Sequence, residues 1–479
     1  MHGRAWRRAW RLLQLVVLIG LGAAVDVAAQ QSATGTLTGT VVDSTKASVP
    51  GATASAIEGT TGAIRTGISN EQGLFRIPAL PPGRYSLRVE LSGFRSVTVT
   101  DILLVTTEVR DVGTVTLQLG EQTEEVTVTA GVTPVQVRSS SRYSTVMSEQ
   151  LTNIQMKGRD IYGLMAILPG VQDTNLNRDF TTWTSMRDVT INGAPVVNKN
   201  IVVDGVSVVD EGGAGNAFVN PNIDAVGEVQ VLANGFTAEN GRNNGGLINM
   251  TVKSGTSELR GSGWYNARRD KWNANDYLRK REALPKPLYR VNISGYSVGG
   301  PVVIPKLFDS RKSDRKLFFF ASQEYTDDAR PSSVVRANLP TERERRGDFS
   351  DTRLPNGDIQ SIIDPRNGQP FPGNIIPGDR IDPTGRALLD LLPTPNGVTN
   401  PVPGEEFTSN SAFDETPLHS RTNHVLRIDG VLSQTLRASF TFMRDREDNW
   451  RGSDFAPGLG WVNNFVPGWI YSGKLTHVL

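Results

Sequence analysis

The chain has 479 residues, with 50 Lys plus Arg against 49 Asp plus Glu, and it contains no cysteine. So even a balance argues against nucleic acid as a partner, and the missing thiols exclude a disulfide framework, a cysteine nucleophile and a cysteine zinc site. The 48 glycines and 27 prolines suit many short strands joined by turns.

At the N-terminus Arg4, Arg7, Arg8 and Arg11 precede an apolar run from Leu12 to Val25, which is short for a bilayer span. Val27-Ala28-Ala29 follows, so residues 1–29 read as an export signal cleaved between Ala29 and Gln30. Beyond it no apolar run is long enough for a transmembrane helix.

From residue 33 to 119, strand and turn signals alternate roughly every 8–12 residues, the spacing of a small sandwich. Gly39-Thr40-Val41-Val42-Asp43 opens it, and Val49-Pro50-Gly51-Ala52 and Asn70-Glu71-Gln72-Gly73 turn the chain. Pro81-Pro82-Gly83 predicts a tight corner, with proline fixing one dihedral and glycine accepting a positive one. After it Tyr85, Leu87, Val89 and Leu91 share one strand face, while Ser86, Arg88 and Glu90 share the other. The segment Thr123-Glu124-Glu125-Val126-Thr127-Val128-Thr129-Ala130 alternates β-branched apolar and hydroxylated residues and is expected to be extended. It is either the last strand of this first domain or a strand offered to a partner.

Residues 121–256 read as a small mixed α+β unit. A short helix is expected from Arg159 to Leu168, ended by Pro169-Gly170. Strands are expected at Asp188–Ile191 and Ile201–Val203, closed by Asn192-Gly193 and Asp204-Gly205 turns, then at Glu228–Leu232 and from Leu247 onward. Residues 258–479 show segments of about ten residues with alternating polarity, as in a barrel wall with two unlike faces. Six such segments run from Arg260, Tyr289, Lys316, Thr422, Thr435 and Gly468. The connection 326–418 is long and holds 13 of the 27 prolines, which predicts an irregular but stiff loop.

The pieces Gly39–Asp43, Val49–Ala52, Gly73-Leu74-Phe75 and Leu80–Tyr85 resemble the carboxypeptidase regulatory-like domain, an accessory Ig-like sandwich of seven strands. Further on, Leu168-Pro169-Gly170-Val171, Val203-Asp204-Gly205-Val206, Ile223–Val231, Glu239–Arg242 and Thr251–Thr256 resemble the plug domain of TonB-dependent outer-membrane transporters. Their order is similar to that of the Oar-like group, in which a regulatory-like domain precedes the plug. The resemblance implies a mainly β chain: an Ig-like sandwich, a mixed α+β plug, then the first strands of a transmembrane antiparallel β-barrel, incomplete in this chain. It also implies that Glu124, Glu125, Val126, Thr127, Val128, Thr129 and Ala130 form the TonB box, a segment that pairs backbone to backbone with TonB. On that view the sandwich is complete by Val115-Thr116-Leu117, and the box is left free for its partner. TonB with its proton-motive complex, outer-membrane lipid and an unidentified solute are the implied partners, and no cofactor is implied. About 220 residues follow the plug, against the roughly 500 that a 22-stranded wall needs, so a truncated barrel is expected.

Decoys are few. Gly468–Leu475 nearly spells a phosphate loop, but Leu475 stands where Ser or Thr is required. Asp173, Asn175, Asn177 and Asp179 resemble the start of a calcium loop, with Arg178 in place of its glycine, and are expected to lie in a solvated loop. His419 and His424 are a remote zinc pair. No catalytic constellation emerges, so an enzyme is not expected. The competing functional reading is an outer-surface adhesin or ligand-binding protein without transport.

Overall fold

The computed structural model describes residues 34–479, apart from 121–124, 130–141, 155, 176–178, 211, 213–214, 235–244, 283, 314, 331–333, 401, 415, 434, 452–461 and 478–479. The expected signal and its cleavage site at Ala29 and Gln30 lie outside the described residues.

Seven strands form the N-terminal sandwich: β1 Gly35–Asp43, β2 Thr53–Glu58, β3 Ile64–Ile68, β4 Leu74–Leu80, β5 Gly83–Glu90, β6 Ser96–Leu104 and β7 Val109–Leu117. One sheet runs β4-β1-β7, with β1 and β7 parallel. In the other, β3-β2-β5-β6 is followed at the edge by an eighth strand, β8 Glu125–Thr129. The alternation in β5 works as its sequence requires. Tyr85, Leu87 and Val89 enter the core beside Leu37, Ile77, Leu80 and Leu117, while the intervening residues stay near the surface. The Tyr85 hydroxyl donates to the Pro81 carbonyl at 2.7 Å and ties the corner. The corner differs from expectation in one respect: Gly83 has no positive φ and simply begins β5, whereas Ala79 carries a φ of 58°. Ala79 lies inside β4 at a shift of its register with β1, and the chain bends at Pro82 on its way into β5.

The sheet of the expected plug runs β13-β12-β17-β16-β9. Its strands are β9 Arg142–Met147, β12 Lys199–Val203, β13 Val206–Ser207, β16 Val226–Asn234 and β17 Gly246–Val252. Two small pairs accompany it, β10 Val171–Asp173 with β11 Val189–Ile191 and β14 Val209–Asp210 with β15 Asn216–Ala217. The Asn192-Gly193 and Asp204-Gly205 pairs each have positive φ at both positions, the conformation that makes these dipeptides good hairpin turns. The plug helix is shorter than its sequence pattern: it spans Ile161–Met165, because Asp160 caps it by accepting from the Tyr162 N–H at 3.1 Å.

The wall is one antiparallel sheet of six strands in chain order. They are β18 Arg260–Arg269, β19 Arg290–Pro301, β22 Lys316–Ala329, β25 Leu418–Val431, β26 Leu436–Arg451 and β27 Val462–His477, with the short pair β20 Val303–Ile304 and β21 Phe308–Asp309 on the β19–β22 connection. The sheet does not close, since neither β18 nor β27 has a second partner among the described residues. Its outer face exposes Tyr265, Tyr296, Phe440, Trp469, Tyr471 and Leu475. From the inner face Phe320, Val425, Met443 and Ile470 enter the core of the plug. The 326–418 connection is tied down: β23 Val334–Ala337 pairs with β24 Ser411–Asp414, and the buried Arg345 donates to the Leu392 and Pro393 carbonyls at 2.9 and 3.0 Å.

Candidate coupling strand and plug seam

The segment expected to stand free does not. Residues Glu125–Thr129 form β8 and pair in parallel with Ser96–Thr100 of β6, with Thr98 opposite Thr127. The sandwich is therefore not complete at Leu117. Local pattern correctly gives an extended segment, but it cannot give the neighbour, because edge pairing is decided by which backbone row the fold leaves open. Among the described residues β8 has no partner on its far side, and Thr127 is exposed. Glu124 and Ala130 lie outside the described residues.

Strand β6 leads directly into the turn 105–108, which is seated on the plug. The Thr106 N–H donates to the Glu228 carboxylate at 3.2 Å, its carbonyl accepts from Gln230 Nε2 at 2.8 Å, and its hydroxyl lies 3.2 Å from that of Thr251. Glu228 is 2% exposed, and burial pushes its carboxyl up to about 7 against the opposing pull of the Thr106 hydrogen bonds.

The plug meets the wall through a polar seam. Arg421 of β25 forms a two-pronged pair with Asp445 of β26 at 2.9 and 2.7 Å, and Asp445 also accepts from the Asn220 backbone N–H at 3.0 Å. Asn423 accepts from the Asn222 side chain at 2.9 Å and donates to the Asn220 carbonyl at 3.0 Å. One turn further, Asp204 accepts from the Thr441 hydroxyl at 2.7 Å, and Arg427 donates to the Val252 carbonyl at 2.7 Å. Arg159 of the plug pairs with Asp224 and reaches Glu324 of β22 at 3.4 Å. This last carboxylate also accepts from the Trp264 indole at 3.0 Å. Backbone and side chain thus satisfy one another across a largely buried boundary, where a polar group left alone is costly.

The residues singled out as decoys have structural roles. Asp179 does not sit in a solvated loop: it is buried between Lys157, Arg268 and Arg330. Burial pushes its carboxyl up, but the Tyr289 hydroxyl and these cations outweigh that and leave it below the usual carboxylate range. His419 stacks on Phe180 with ring centroids 4.7 Å apart, next to Glu447. Five positions along a strand put His424 on the opposite face, which separates the pair as ligands. No cluster of three metal-ligating side chains occurs among the described residues. Gly468 lies in β27, and the reason for a glycine there is a close approach, because a Cβ would sit 1.8 Å from the Phe218 carbonyl oxygen of the plug. Of the seam, Asp204, Asp224 and Val252 fall within the quoted plug stretches, whereas the wall residues Arg421, Asn423 and Asp445 carry no local motif, and only their polarity at inward positions could have pointed to them.

Two family models match the chain, the carboxypeptidase regulatory-like domain over residues 36–118 and the outer membrane beta barrel domain over residues 251–478. The TonB-dependent transporter Oar of Myxococcus xanthus is 29% identical over 325 residues, covering 63% of this chain and 28% of that protein. The chain therefore spans little more than a quarter of the relative's length. Among solved structures, the outer membrane transporter YddB of Escherichia coli is 13% identical with a TM-score of 0.40, covering 70% of this chain and 37% of that one. The siderophore receptor PirA of Acinetobacter baumannii is 14% identical with a TM-score of 0.31, covering 70% and 44%. The chain is thus a mainly β homologue of Oar over that 325-residue stretch, with a carboxypeptidase regulatory-like domain at residues 36–118 and an outer membrane beta barrel domain at residues 251–478 that places it in the outer membrane.

Proposed function

We propose that this chain serves TonB-dependent, energised uptake of a large or scarce solute across the outer membrane. In this reading residues 33–119 are a periplasmic sandwich, 121–256 hold the coupling segment and plug, and 258–479 form the wall with its outer loop 326–418. The segment Glu124–Ala130 is the one TonB grips, drawing on the proton-motive force at the inner membrane. Pulling there would shift or partly unfold the plug and open a path. The observation that carries the reading is the relationship to Oar, whose name describes a TonB-dependent transporter. The polar part of the seam supports it, because its hydrogen bonds and ion pairs can be exchanged for water one at a time during such a shift.

The test is capture of the full-length protein on the immobilised C-terminal domain of TonB. Capture is expected for the parent and is expected to be lost when residues 124–130 are deleted. Equal capture of both would remove the segment from the coupling role and favour a display or adhesion function.

A further inference from the structure

Building on the coupling role just proposed, we infer that the sandwich is the display platform for the coupling strand, with the open edge of β6 as its docking site. Three observations converge. Residues 125–129 lie on β6 in a parallel ladder, so they are already extended before any partner arrives. The far edge of β8 carries no strand among the described residues, and Thr127 is exposed, so backbone groups remain available to one more strand. Strand β6 runs within two residues into Thr106, whose contacts with Glu228, Gln230 and Thr251 seat the sandwich on two plug strands. The coupling strand is thus held straight and kept beside the element it is to move.

The physical consequence is preorganisation. A free segment must lose backbone freedom at every residue it contributes to a partner's sheet. Here the sandwich has already ordered those residues, so adding the edge strand of TonB would extend the order β3-β2-β5-β6-β8 by one. Strand addition to an exposed edge needs nothing else, and alternate residues of a strand turn their backbone groups to opposite sides. Pairing with β6 on one side and with TonB on the other is therefore compatible.

The absence of cysteine allows a direct test. Thr98 and Thr127 are register partners, and neighbouring strands lie about 4.8 Å apart, within the span of a disulfide. Thr98→Cys with Thr127→Cys in the full-length protein should cross-link on oxidation, visible as a reducible mobility shift. Binding of TonB's C-terminal domain is then measured for the oxidised protein, the reduced protein and a synthetic peptide of residues 121–132. The expected result is unchanged affinity on oxidation, and affinity at least about tenfold above the peptide's, because the ordering cost is already met. Three outcomes overturn the inference: no cross-link forms, oxidation weakens binding and reductant restores it, or the peptide binds as tightly as the protein. If neither the peptide nor the protein binds, the coupling role itself fails, which is a separate result.

Discussion

The sandwich and the plug–wall seam are both interior surfaces, yet they are built from opposite materials. The sandwich core is a continuous apolar cluster around Leu37, Ile77, Tyr85, Leu87 and Leu117. The seam has a greasy patch at Phe320, Val425, Met443 and Ile470, but its specific contacts are amides, carboxylates and guanidiniums. Apolar burial is non-directional and is lost all at once, which suits a unit that must stay intact under load. Directional polar contacts hold one register, and each is modest once water can replace it. Under the proposed mechanism this contrast would keep the sandwich rigid and the plug releasable.

Unpairing the seam is the hardest way to break that contrast. Arg421→Leu leaves Asp445 buried without its cation and should destabilise plug docking by about 3–5 kcal/mol. Limited proteolysis of the plug in the purified protein would show it, and Arg421→Leu with Asp445→Leu should recover much of the loss. Leu87→Ala should cost the sandwich about 2–5 kcal/mol in chemical denaturation while leaving plug proteolysis unchanged. A change in plug proteolysis there would mean the two regions are not independent. Gly468→Ala should loosen the plug by about 1–3 kcal/mol, because the Phe218 carbonyl must retreat from the added methyl. Hydrogen exchange along residues 216–220 would report it.

The last effect sits where the two regions join. Burial holds the Glu228 carboxyl up at about 7 against an ordinary value of 4.5, so the folded chain favours the protonated form even though the Thr106 hydrogen bonds pull the other way. Its stabilisation is complete below the ordinary value and is lost as pH rises through 7. Stability of the folded chain should therefore fall by about 2 kcal/mol between pH 5 and pH 8. Glu228→Gln should flatten that slope, followed by exchange at Thr106; an unchanged slope would place the titrating group elsewhere.

Local structure was legible wherever it rests on neighbours in sequence. The alternation of Tyr85, Leu87 and Val89, the Asn192-Gly193 and Asp204-Gly205 turns and the six wall segments all follow from period and turn chemistry. What escaped depends on distant partners. The extended character of 125–129 is written in its β-branched residues, but its place beside β6 is not. Asp179 read as a loop carboxylate because its cations come from Lys157, Arg268 and Arg330, brought together only by the fold. A glycine at 468 looked like part of a phosphate loop, while its cause is a carbonyl 250 residues away.

That separation in sequence has a kinetic side. Asn222 and Asn423 are 201 positions apart, and Asp204 and Thr441 are 237 apart. Until strands β25 and β26 are in place, the polar side chains of the plug have only water to bond. Contacts of such long range form late, because the loop between them must be closed before they contribute. The plug therefore acquires its final order only as the wall assembles around it, so seating the plug is a step of barrel assembly rather than a prelude to it.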